Sequence, residues 1–230
     1  MTKKVLVFGA NGGAGQEICH RLREDREISL VTIDQKGDVD HHLDALSEDV
    51  YEVIWALSPD AIINCIGVNW VTKVFETDVP TWLRQVNINL GAWYNILHSV
   101  AKLNNRLEVN NVERTVIAIG SNSAFTPRTH SSAYGVSKTA MLALTQNAAR
   151  EFAKTGLKIY PCQIDPGFIY PTPMSSSVLD DRDLTLEQVL SRSPYGMHIK
   201  PAEIAELMYF LVYNGKPFAG NSIRLDYGEI

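Results

Sequence analysis

The strongest constraint on the fold is the alternation of short apolar runs with longer segments of helical pattern. Lys4–Phe8 is an apolar run that a glycine ends, and Ser29–Ile33, Ala61–Ile66 and Thr115–Ile119 resemble it in length and composition. Runs of this kind predict strands that are buried on both faces. Because helical segments lie between them, the sequence predicts an α/β fold, a doubly wound parallel sheet (Rossmann fold) with right-handed crossovers.

The same pattern continues along the rest of the chain. Helices are predicted at about residues 14–25, 50–57, 80–103, 131–154 and 201–213, and further strands at 157–164 and 222–225. No repeat or low-complexity linker interrupts the 230 residues, so we expect a single domain over residues 1–230. Residues 170–199 are rich in Ser, Pro and Asp, with one short helical piece near 184–190, and predict a substrate loop.

Composition narrows the function classes. The net charge of −5 without a basic block argues against a nucleic-acid surface, and no segment is long enough to span a membrane. The apolar run Val5–Phe8 is too short for a signal peptide. Cys19, Cys65 and Cys162 are widely spaced and predict reduced thiols in a cytoplasmic protein, with no Cys/His cluster that indicates a metal site.

A glycine-rich turn follows the first strand and opens the first helix. Its glycines have the spacing GxxxGxG, which lets backbone N–H groups approach a pyrophosphate at the helix N-terminus. A flexible loop would explain the glycines alone, but the strand-turn-helix context favours dinucleotide binding. The residues predicted to contact the cofactor here are Gly9, Asn11, Gly12, Gly13, Ala14 and Gly15.

Two strand ends add to the predicted cofactor site. Asp34 ends the second strand nineteen residues after Gly15, where a carboxylate can accept hydrogen bonds from ribose hydroxyls. It would repel a 2′-phosphate, so NAD(H) is favoured, although nearby Lys36 blurs the preference and NADP(H) stays possible. Asn64 and Gly67 close the next clear strand, where glycine lets the chain pass close to a ligand. An ordinary strand end is the alternative explanation for each of these residues on its own, and the glycine turn makes it the less favoured one for Asp34.

Tyr134-Gly-Val-Ser-Lys138 places a phenol and an ammonium four residues apart in a predicted helix. Positions i and i+4 share one helix face. A lysine beside a tyrosine favours the phenolate, so we expect the pKa of the Tyr134 phenol to fall below its usual value of about 10. Such a phenol can exchange protons near neutral pH. A surface tyrosine with a solvated lysine is the alternative.

The order of these motifs resembles the short-chain dehydrogenase/reductase family in its short single-domain form. The resemblance covers nearly the whole chain, from Lys4 to Gly228. Ser121 precedes Tyr134 by thirteen residues, which is the usual spacing in the family. The motifs matched in order are Gly9–Gly15, Asn64–Gly67 (the family's NNAG segment), Asn89, Ser121, Tyr134 with Lys138, Pro166–Gly167 with Thr172, and Gly220–Asp226.

The resemblance implies an enzyme, an NAD(P)-dependent oxidoreductase that transfers a hydride between a nicotinamide and a carbonyl or alcohol carbon. It makes Tyr134 the general acid/base and Ser121 the residue that holds the substrate oxygen, unless Ser123 does so instead. Lys138 would stabilise the phenolate and bind the nicotinamide ribose. Asn89 would help position Lys138 and a water, unless it is an exposed helix residue.

Further contacts and partners follow from the same resemblance. The residues implied beside the nicotinamide are Pro166, Gly167, Ile169 and Thr172. Asp44 would contact the adenine or, equally, cap a helix. The implied partners are a small-molecule carbonyl or alcohol substrate and further copies of the chain, in a homodimer or homotetramer with the helices at Pro80 and Ser131 in the interface.

The family normally has a full helix after its second strand, but Gln35–His42 can hold only a loop. We therefore expect that crossover helix to be missing. Within 170–199, Met174 and Val178 offer an apolar lining, and no arginine cluster indicates a site for a phosphate or a CoA tail.

Two other functions share these motifs. A sugar-nucleotide epimerase or dehydratase has the same fold and Tyr/Lys pair but usually a longer C-terminal region. A non-catalytic NAD-binding redox sensor would not need Ser121, Tyr134 and Lys138.

Overall fold

Seven parallel strands form one sheet in the structure, a computed structural model that describes residues 2–71, 73–106 and 112–229. The order across the sheet is β3-β2-β1-β4-β5-β6-β7. The predicted doubly wound parallel sheet is confirmed. The strands are β1 (Lys3–Phe8), β2 (Ile28–Asp34), β3 (His41–His42), β4 (Ala61–Asn64), β5 (Arg114–Ile119), β6 (Ile159–Pro166) and β7 (Ser222–Leu225).

Helices connect most of these strands. A single π-helical turn at Asn87–Gly91 joins α3 to α4, so the long helix predicted at about 80–103 is nearly continuous. The described helices are α1 (Gly13–Arg23), α2 (Asp49–Leu57), α3 (Val79–Val86), α4 (Ala92–Asn104), α5 (Ser132–Lys154), α6 (Pro173–Asp181), α7 (Leu186–Leu190) and α8 (Pro201–Asn214).

Helices cover the sheet on both faces. Leu6 and Phe8 of β1 point to one face, where Trp93 of α4 and other buried residues of α2, α4 and α5 pack against them. Val5 and Val7 point to the other face, which α1 and α8 cover. Each fully buried aliphatic side chain contributes about 1.5–3 kcal/mol. Two-sided burial is why the strands are continuous apolar runs.

The crossover from β2 to β3 is a loop, so the prediction that its helix is missing is confirmed. Asp40 folds this loop back onto β2, because its Oδ2 accepts hydrogen bonds from Thr32 N at 2.8 Å and Thr32 Oγ1 at 2.7 Å. The prediction of nothing but loop up to His42 is wrong in one detail, since His41–His42 pairs with the end of β2. Two residues suffice for this pairing because the loop already runs beside the strand.

The segment after β6 is more ordered than the sequence predicts. The short helix near 184–190 is present as α7, but α6 precedes it where a loop was expected. Thr172 begins α6 with a capping box: its Oγ1 accepts from Ser175 N at 3.0 Å, and its own N donates to Ser175 Oγ at 2.9 Å. The cap and Pro173 start a helix that its serine-rich sequence disfavours.

The three cysteines are free thiols in the structure. Cys19 and Cys162 are buried, and Cys65 is half-buried. Within the described ranges, no helix has both the length and the apolar character needed to cross a bilayer.

Candidate active site

A cavity of about 430 Å³ lies at the carboxyl ends of the central strands. Ligands bind at this edge of open parallel sheets, where the crossovers change direction. The cavity brings together most of the residues predicted from the sequence. Those that line it are Asn11, Gly12, Gly13, Ala14, Gly15, Gly67, Ser121, Tyr134, Lys138, Pro166, Gly167, Ile169 and Thr172.

Five predicted residues do not line the cavity. Gly9 begins the glycine turn, Asn64 is paired with Phe8 directly before it, and Asn64 and Asn89 are fully buried. Asp34 contacts the turn from the outside. Asp44 is exposed and its Oδ1 accepts from Leu46 N at 2.9 Å, so it caps a local turn in the structure.

The glycine turn forms a cradle that side chains would fill. Gly9 has a φ of +74°, and a Cβ there would lie 2.9 Å from the backbone of Cys65. A Cβ on Gly15 would lie 2.2 Å from Gly9 O, and one on Gly13 would lie 2.9 Å from Thr172 Cβ. Since α1 begins at Gly13 without a side-chain cap, its first N–H groups face an anion-binding position. The cradle fits a dinucleotide pyrophosphate.

Asp34 is fixed at the edge of this cradle. Its Oδ2 accepts from Asn11 N at 3.0 Å and its Oδ1 from Gln35 N at 2.7 Å. The carboxylate is therefore held beside the turn at the end of β2. An adenosine ribose that extends from the cradle over β2 could meet it there.

Buried amides support the loop that follows β4. Asn89, in the π-helical turn, accepts from Val68 N at 2.8 Å and donates to Val68 O at 3.0 Å and to Ser137 Oγ at 2.9 Å. It thus joins the loop after Gly67 to α5, one residue before Lys138. π-helical turns often occur at functional sites. Asn89 and Lys138 are not joined by a direct side-chain hydrogen bond in the part of the chain that the structure describes, so any positioning of Lys138 by Asn89 runs through Ser137 and the loop after Gly67.

Ser121, Tyr134 and Lys138 converge at the floor of the cavity. Tyr134 is half-buried and its phenol lies within the influence of the Ser121 hydroxyl, while Lys138 Nζ lies 5.6 Å from the centre of the Tyr134 ring. The predicted lowering of the Tyr134 pKa is wrong for this structure. Burial raises the pKa above its usual value, the polar side chain of Ser121 lowers it, and the charge of Asp165 raises it. The phenol is therefore protonated at neutral pH.

The surroundings of Lys138 disfavour its own charge. Its ammonium is buried and donates to Ile119 O at 2.8 Å. Burial lowers the pKa of Lys138 to about 8, against the charges of Asp165 and Cys65, which raise it. At neutral pH the ammonium remains, but it is held in an unfavourable environment.

Lys138→Met should therefore change the pH dependence of stability. The pKa of the lysine is about 8 in the folded protein and near 10.5 in the unfolded chain. Between these values the unfolded chain binds more protons, so the stability of the wild type rises with pH relative to the variant. We expect this relative rise to be about 2–3 kcal/mol between pH 7 and pH 10. Urea unfolding of both proteins at the two pH values measures it.

The exposed Lys154→Met variant is the control for the loss of a lysine in α5. A stability difference between wild type and Lys138→Met that stays constant from pH 7 to pH 10 would contradict the lowered pKa.

Asp165 is a buried residue of the site that the sequence prediction missed. Its Oδ1 accepts from Ser121 N at 2.7 Å, Gln163 Nε2 donates to both of its oxygens at 2.9 Å, and Ser222 Oγ donates to Oδ2. Burial raises the pKa of this carboxyl, and these hydrogen bonds lower it. A carboxylate at the end of β6, directly before Pro166-Gly167, is the sequence signal that could have revealed it.

The expectation that no arginine cluster exists is also wrong. Arg128, Arg182 and Arg192 all line the cavity, together with Glu229, to which Arg128 donates at 2.6 Å. Because the arginines come from three separate segments, no local pattern connects them. Only the return of the chain over the carboxyl ends of the strands brings them together.

Comparison with known proteins identifies the family. A family model described as enoyl-(acyl carrier protein) reductase matches residues 5–228. The chain belongs to the short-chain dehydrogenase/reductase family. The resemblance that the motifs indicated is thus confirmed, and the chain is an oxidoreductase of this family.

Individual members share the fold at low sequence identity. A putative ketoacyl reductase from Streptomyces coelicolor is 25% identical over 240 residues, covering 91% of this chain and 90% of its own. A short-chain dehydrogenase family protein from Francisella tularensis has a TM-score of 0.84 at 21% identity, covering 99% and 98%. ElxO, solved with NADP bound, has a TM-score of 0.83 at 20% identity, again covering 99% and 98%.

Proposed function

We propose that the protein transfers a hydride between a nicotinamide dinucleotide and a small carbonyl or alcohol substrate, with Tyr134 as the general acid/base. The observation that carries this proposal is a single cavity that reaches both the glycine cradle and the group Ser121, Tyr134 and Lys138. The dinucleotide, when bound, supplies the hydride chemistry. The protein supplies binding, orientation and proton transfer.

Tyr134 and Ser121 would act on the oxygen of the substrate. Because the pKa of Tyr134 is raised, the phenol carries a proton at neutral pH and can give it to a carbonyl oxygen during reduction. The Ser121 hydroxyl would hold the same oxygen as negative charge develops on it. Oxidation of an alcohol needs the phenolate instead, so it is favoured as the pH rises.

Lys138 and Asn89 would support this pair. Lys138 would bind the nicotinamide ribose and stabilise the phenolate form of Tyr134 once it has given up its proton. Asn89 would keep the loop after Gly67 beside α5, as its bonds to Val68 and Ser137 support. It would therefore position Lys138 through its neighbours, without touching it.

The remaining predicted residues would hold the dinucleotide. The cradle from Gly9 to Gly15 would take the pyrophosphate, with Asn64 and Gly67 beneath and beside it. The buried Nδ2 of Asn64 has no hydrogen-bond partner among the described residues, which supports a role next to a ligand. Pro166, Gly167, Ile169 and Thr172 would lie along the nicotinamide, and we propose Asp44 for the adenine.

The preference for NAD(H) over NADP(H) rests on Asp34. Its fixed carboxylate would accept from ribose hydroxyls and repel a 2′-phosphate. The wild type is expected to bind NADPH with a larger dissociation constant than NADH. Asp34→Ala should lower the ratio of the NADPH constant to the NADH constant about tenfold or more, because the variant no longer has a negative charge that repels the 2′-phosphate. Fluorescence titration of both cofactors measures the ratio. Asp38→Ala removes an exposed carboxylate from the same loop and is the control.

Asp38→Ala should leave the ratio of the two dissociation constants as in the wild type. If Asp34→Ala leaves it unchanged as well, the proposed ribose contact is wrong. ElxO shows that a member of this fold is found with NADP bound, so the preference has to be measured for this chain.

The function itself is tested by following nicotinamide absorbance. Purified protein is offered NADH or NADPH with a panel of small aldehydes and ketones, and NAD or NADP with the matching alcohols. We expect the protein to reduce at least one class of carbonyl compound, and we expect no reduction in the same mixture without the protein. Tight dinucleotide binding without turnover over the whole panel would favour a redox sensor and contradict the proposal.

We also propose how the chain is organised around this site. Residues 1–230 would form one domain, in which 170–199 cover the cavity as the substrate segment, since Met174, Val178 and Arg182 from this segment line it. A homodimer or homotetramer would form through α3, α4 and α5. Support comes from the exposed apolar side chains of Leu83 and Tyr94 on this face.

A further inference from the structure

The cavity carries an excess of positive charge at its substrate end. Arg128 follows β5, Arg182 ends α6 and Arg192 follows α7, and all three line the cavity that also holds Lys138. Among the described residues that line it, Glu229 alone carries a carboxylate. One negative charge therefore faces four positive ones.

Glu229 is already engaged by its own neighbours. Its Oε1 accepts from Arg128 at 2.6 Å and its Oε2 from Asn122 Nδ2 at 2.8 Å, with the carboxylate almost fully buried. Both oxygens are thus used, and the pair of Glu229 and Arg128 is close to neutral. Neither Arg182 nor Arg192 forms an ion pair with a carboxylate in the part of the chain that the structure describes, although the charge of Glu229 also acts on Arg192.

The two remaining arginines are only partly satisfied. Arg182 donates through one terminal nitrogen to Ser131 Oγ, but its buried Nε has no partner among residues 2–71, 73–106 and 112–229. Arg192 is half-buried and forms no side-chain hydrogen bond to a described residue. Burial is the largest cause that lowers the pKa of both guanidinium groups. The charges of Arg192 and Arg128 lower the pKa of Arg182 further, and the charge of Arg128 lowers that of Arg192 against Glu229, which raises it. The fold thus holds like charges where water is partly excluded.

We propose that Arg182 and Arg192 form an oxyanion subsite that binds a carboxylate or phosphate carried by the carbonyl substrate. The inference rests on the proposed function and names its substrate class. The planar fork of a guanidinium group matches a pair of oxygens on a carboxylate or a phosphate and can bind them through two parallel hydrogen bonds. An anion there removes the repulsion between the arginines and satisfies the donors that the chain leaves open.

The subsite is joined directly to the residues that would carry the chemistry. Ser131, which receives the hydrogen bond from Arg182, lies three residues before Tyr134 at the start of α5. Met174 and Val178 line the same cavity and would contact the carbon chain between the two ends of the substrate. The substrate class is therefore an oxo acid or a phosphorylated carbonyl compound with an apolar middle.

The first test compares charged and neutral substrates of one skeleton. Aldehyde acids of four to eight carbons, their methyl esters and the corresponding phosphate monoesters of hydroxyaldehydes are reduced with NADH. We expect kcat/KM for the best anion to exceed that of its neutral ester by tenfold or more. The carboxylate and phosphate series separate the two sources of the oxyanion. Equal kcat/KM for acids, phosphates and esters at every length would overturn the proposal.

Arg192→Gln should reduce this discrimination. We expect the KM of the preferred anion to rise roughly ten- to a hundredfold with a smaller change in kcat, because the lost contact holds the substrate before and during the reaction. Arg192→Lys should restore part of the discrimination, since the charge returns. Arg26→Gln, an exposed change near the amino end of β2, is the control. If Arg192→Gln leaves the ratio of kcat/KM for the anion to kcat/KM for its ester unchanged, the subsite is contradicted.

Binding of unreactive anions tests the subsite without turnover. Ligand-observed NMR compares hexanoate and hexyl phosphate with neutral hexanamide, on wild type and on Arg182→Gln/Arg192→Gln. If the wild type binds an anion more tightly than hexanamide and the double variant does not, the subsite is supported, even when no carbonyl compound is reduced. The absence of reduction would then contradict the proposed function alone. Equal binding of the neutral amide would overturn the subsite even if the enzyme were active.

Discussion

Tyr134→Phe is expected to lower kcat for carbonyl reduction by about two to four orders of magnitude while leaving dinucleotide affinity nearly unchanged. Phenylalanine keeps the ring and its packing but has no proton to give. Ser121 keeps the hydrogen bonds that hold it, from its N to Asp165 and from Ser123 N to its Oγ. The substitution therefore removes the proposed acid without removing the cavity.

The raised pKa of Tyr134 favours one direction of the reaction at neutral pH. A phenol that is protonated at neutral pH serves reduction there, whereas oxidation gains rate as the pH approaches its pKa. Tyr134→Phe should remove this rise in the oxidative rate. Steady-state kinetics in both directions, from pH 6 to pH 10, measure kcat and its pH profile for wild type and variant.

Tyr160→Phe is the matched control for this prediction. It makes the same chemical change at a half-buried tyrosine near the start of β6, where the hydroxyl contacts Glu113 at 3.2 Å, away from the cavity. Tyr160→Phe should leave kcat and its pH profile as in the wild type. If Tyr134→Phe does the same, Tyr134 is not the general acid/base.

The parts of the fold that depend on burial could be predicted from the sequence. Val5 and Val7 face one side of the sheet and Leu6 and Phe8 the other, so both faces require apolar residues and the strand is visible as an unbroken apolar run. The glycine turn could be predicted for a similar reason. At Gly9 and Gly15 a side chain would collide with the backbone, so the turn requires glycine there and the glycines predict the turn.

Other features depend on contacts that no local pattern records. α6 has a serine-rich sequence, and its start depends on Thr172 and Ser175 forming a capping box. The sign of the Tyr134 pKa shift depends on how deeply the phenol is buried, which the spacing of Tyr134 and Lys138 does not reveal. The arginines of the cavity meet only because α6 and α7 fold back over the sheet.

Asp165 is visible in the sequence as a carboxylate at a strand end, whereas its contacts depend on the fold. We expect its substitution to have a large effect. Its carboxylate is fully buried and accepts hydrogen bonds from Ser121 N, Gln163 Nε2 and Ser222 Oγ. The chain also leaves room for it, since a Cβ on Gly120 would lie 1.9 Å from Asp165 Oδ1. Through the backbone of Ser121, Asp165 fixes the hydroxyl that would hold the substrate oxygen. It is a positioning residue for that hydroxyl.

Asp165→Asn should cost roughly 3–5 kcal/mol of stability, because one acceptor oxygen becomes a donor that faces other donors in a buried site. Urea unfolding measures this loss. We also expect kcat to fall about tenfold as Ser121 moves, since small displacements of positioning groups are costly in catalysis. Ser99→Ala, a fully buried change whose hydroxyl has no partner among the described residues, is the control.

A compensating change separates the hydrogen-bond pattern from simple loss of packing. In Asp165→Asn/Gln163→Glu, the new carboxylate at 163 can accept from the new amide at 165 and from Thr145 Oγ1, which already donates to Gln163 Oε1 at 3.1 Å. The oxygen of the new amide can still accept from Ser121 N. The double variant should therefore recover part of both the stability and kcat, with a non-additive coupling of about 1–3 kcal/mol. Strictly additive losses would show that Asp165 does not fix Ser121 through this network.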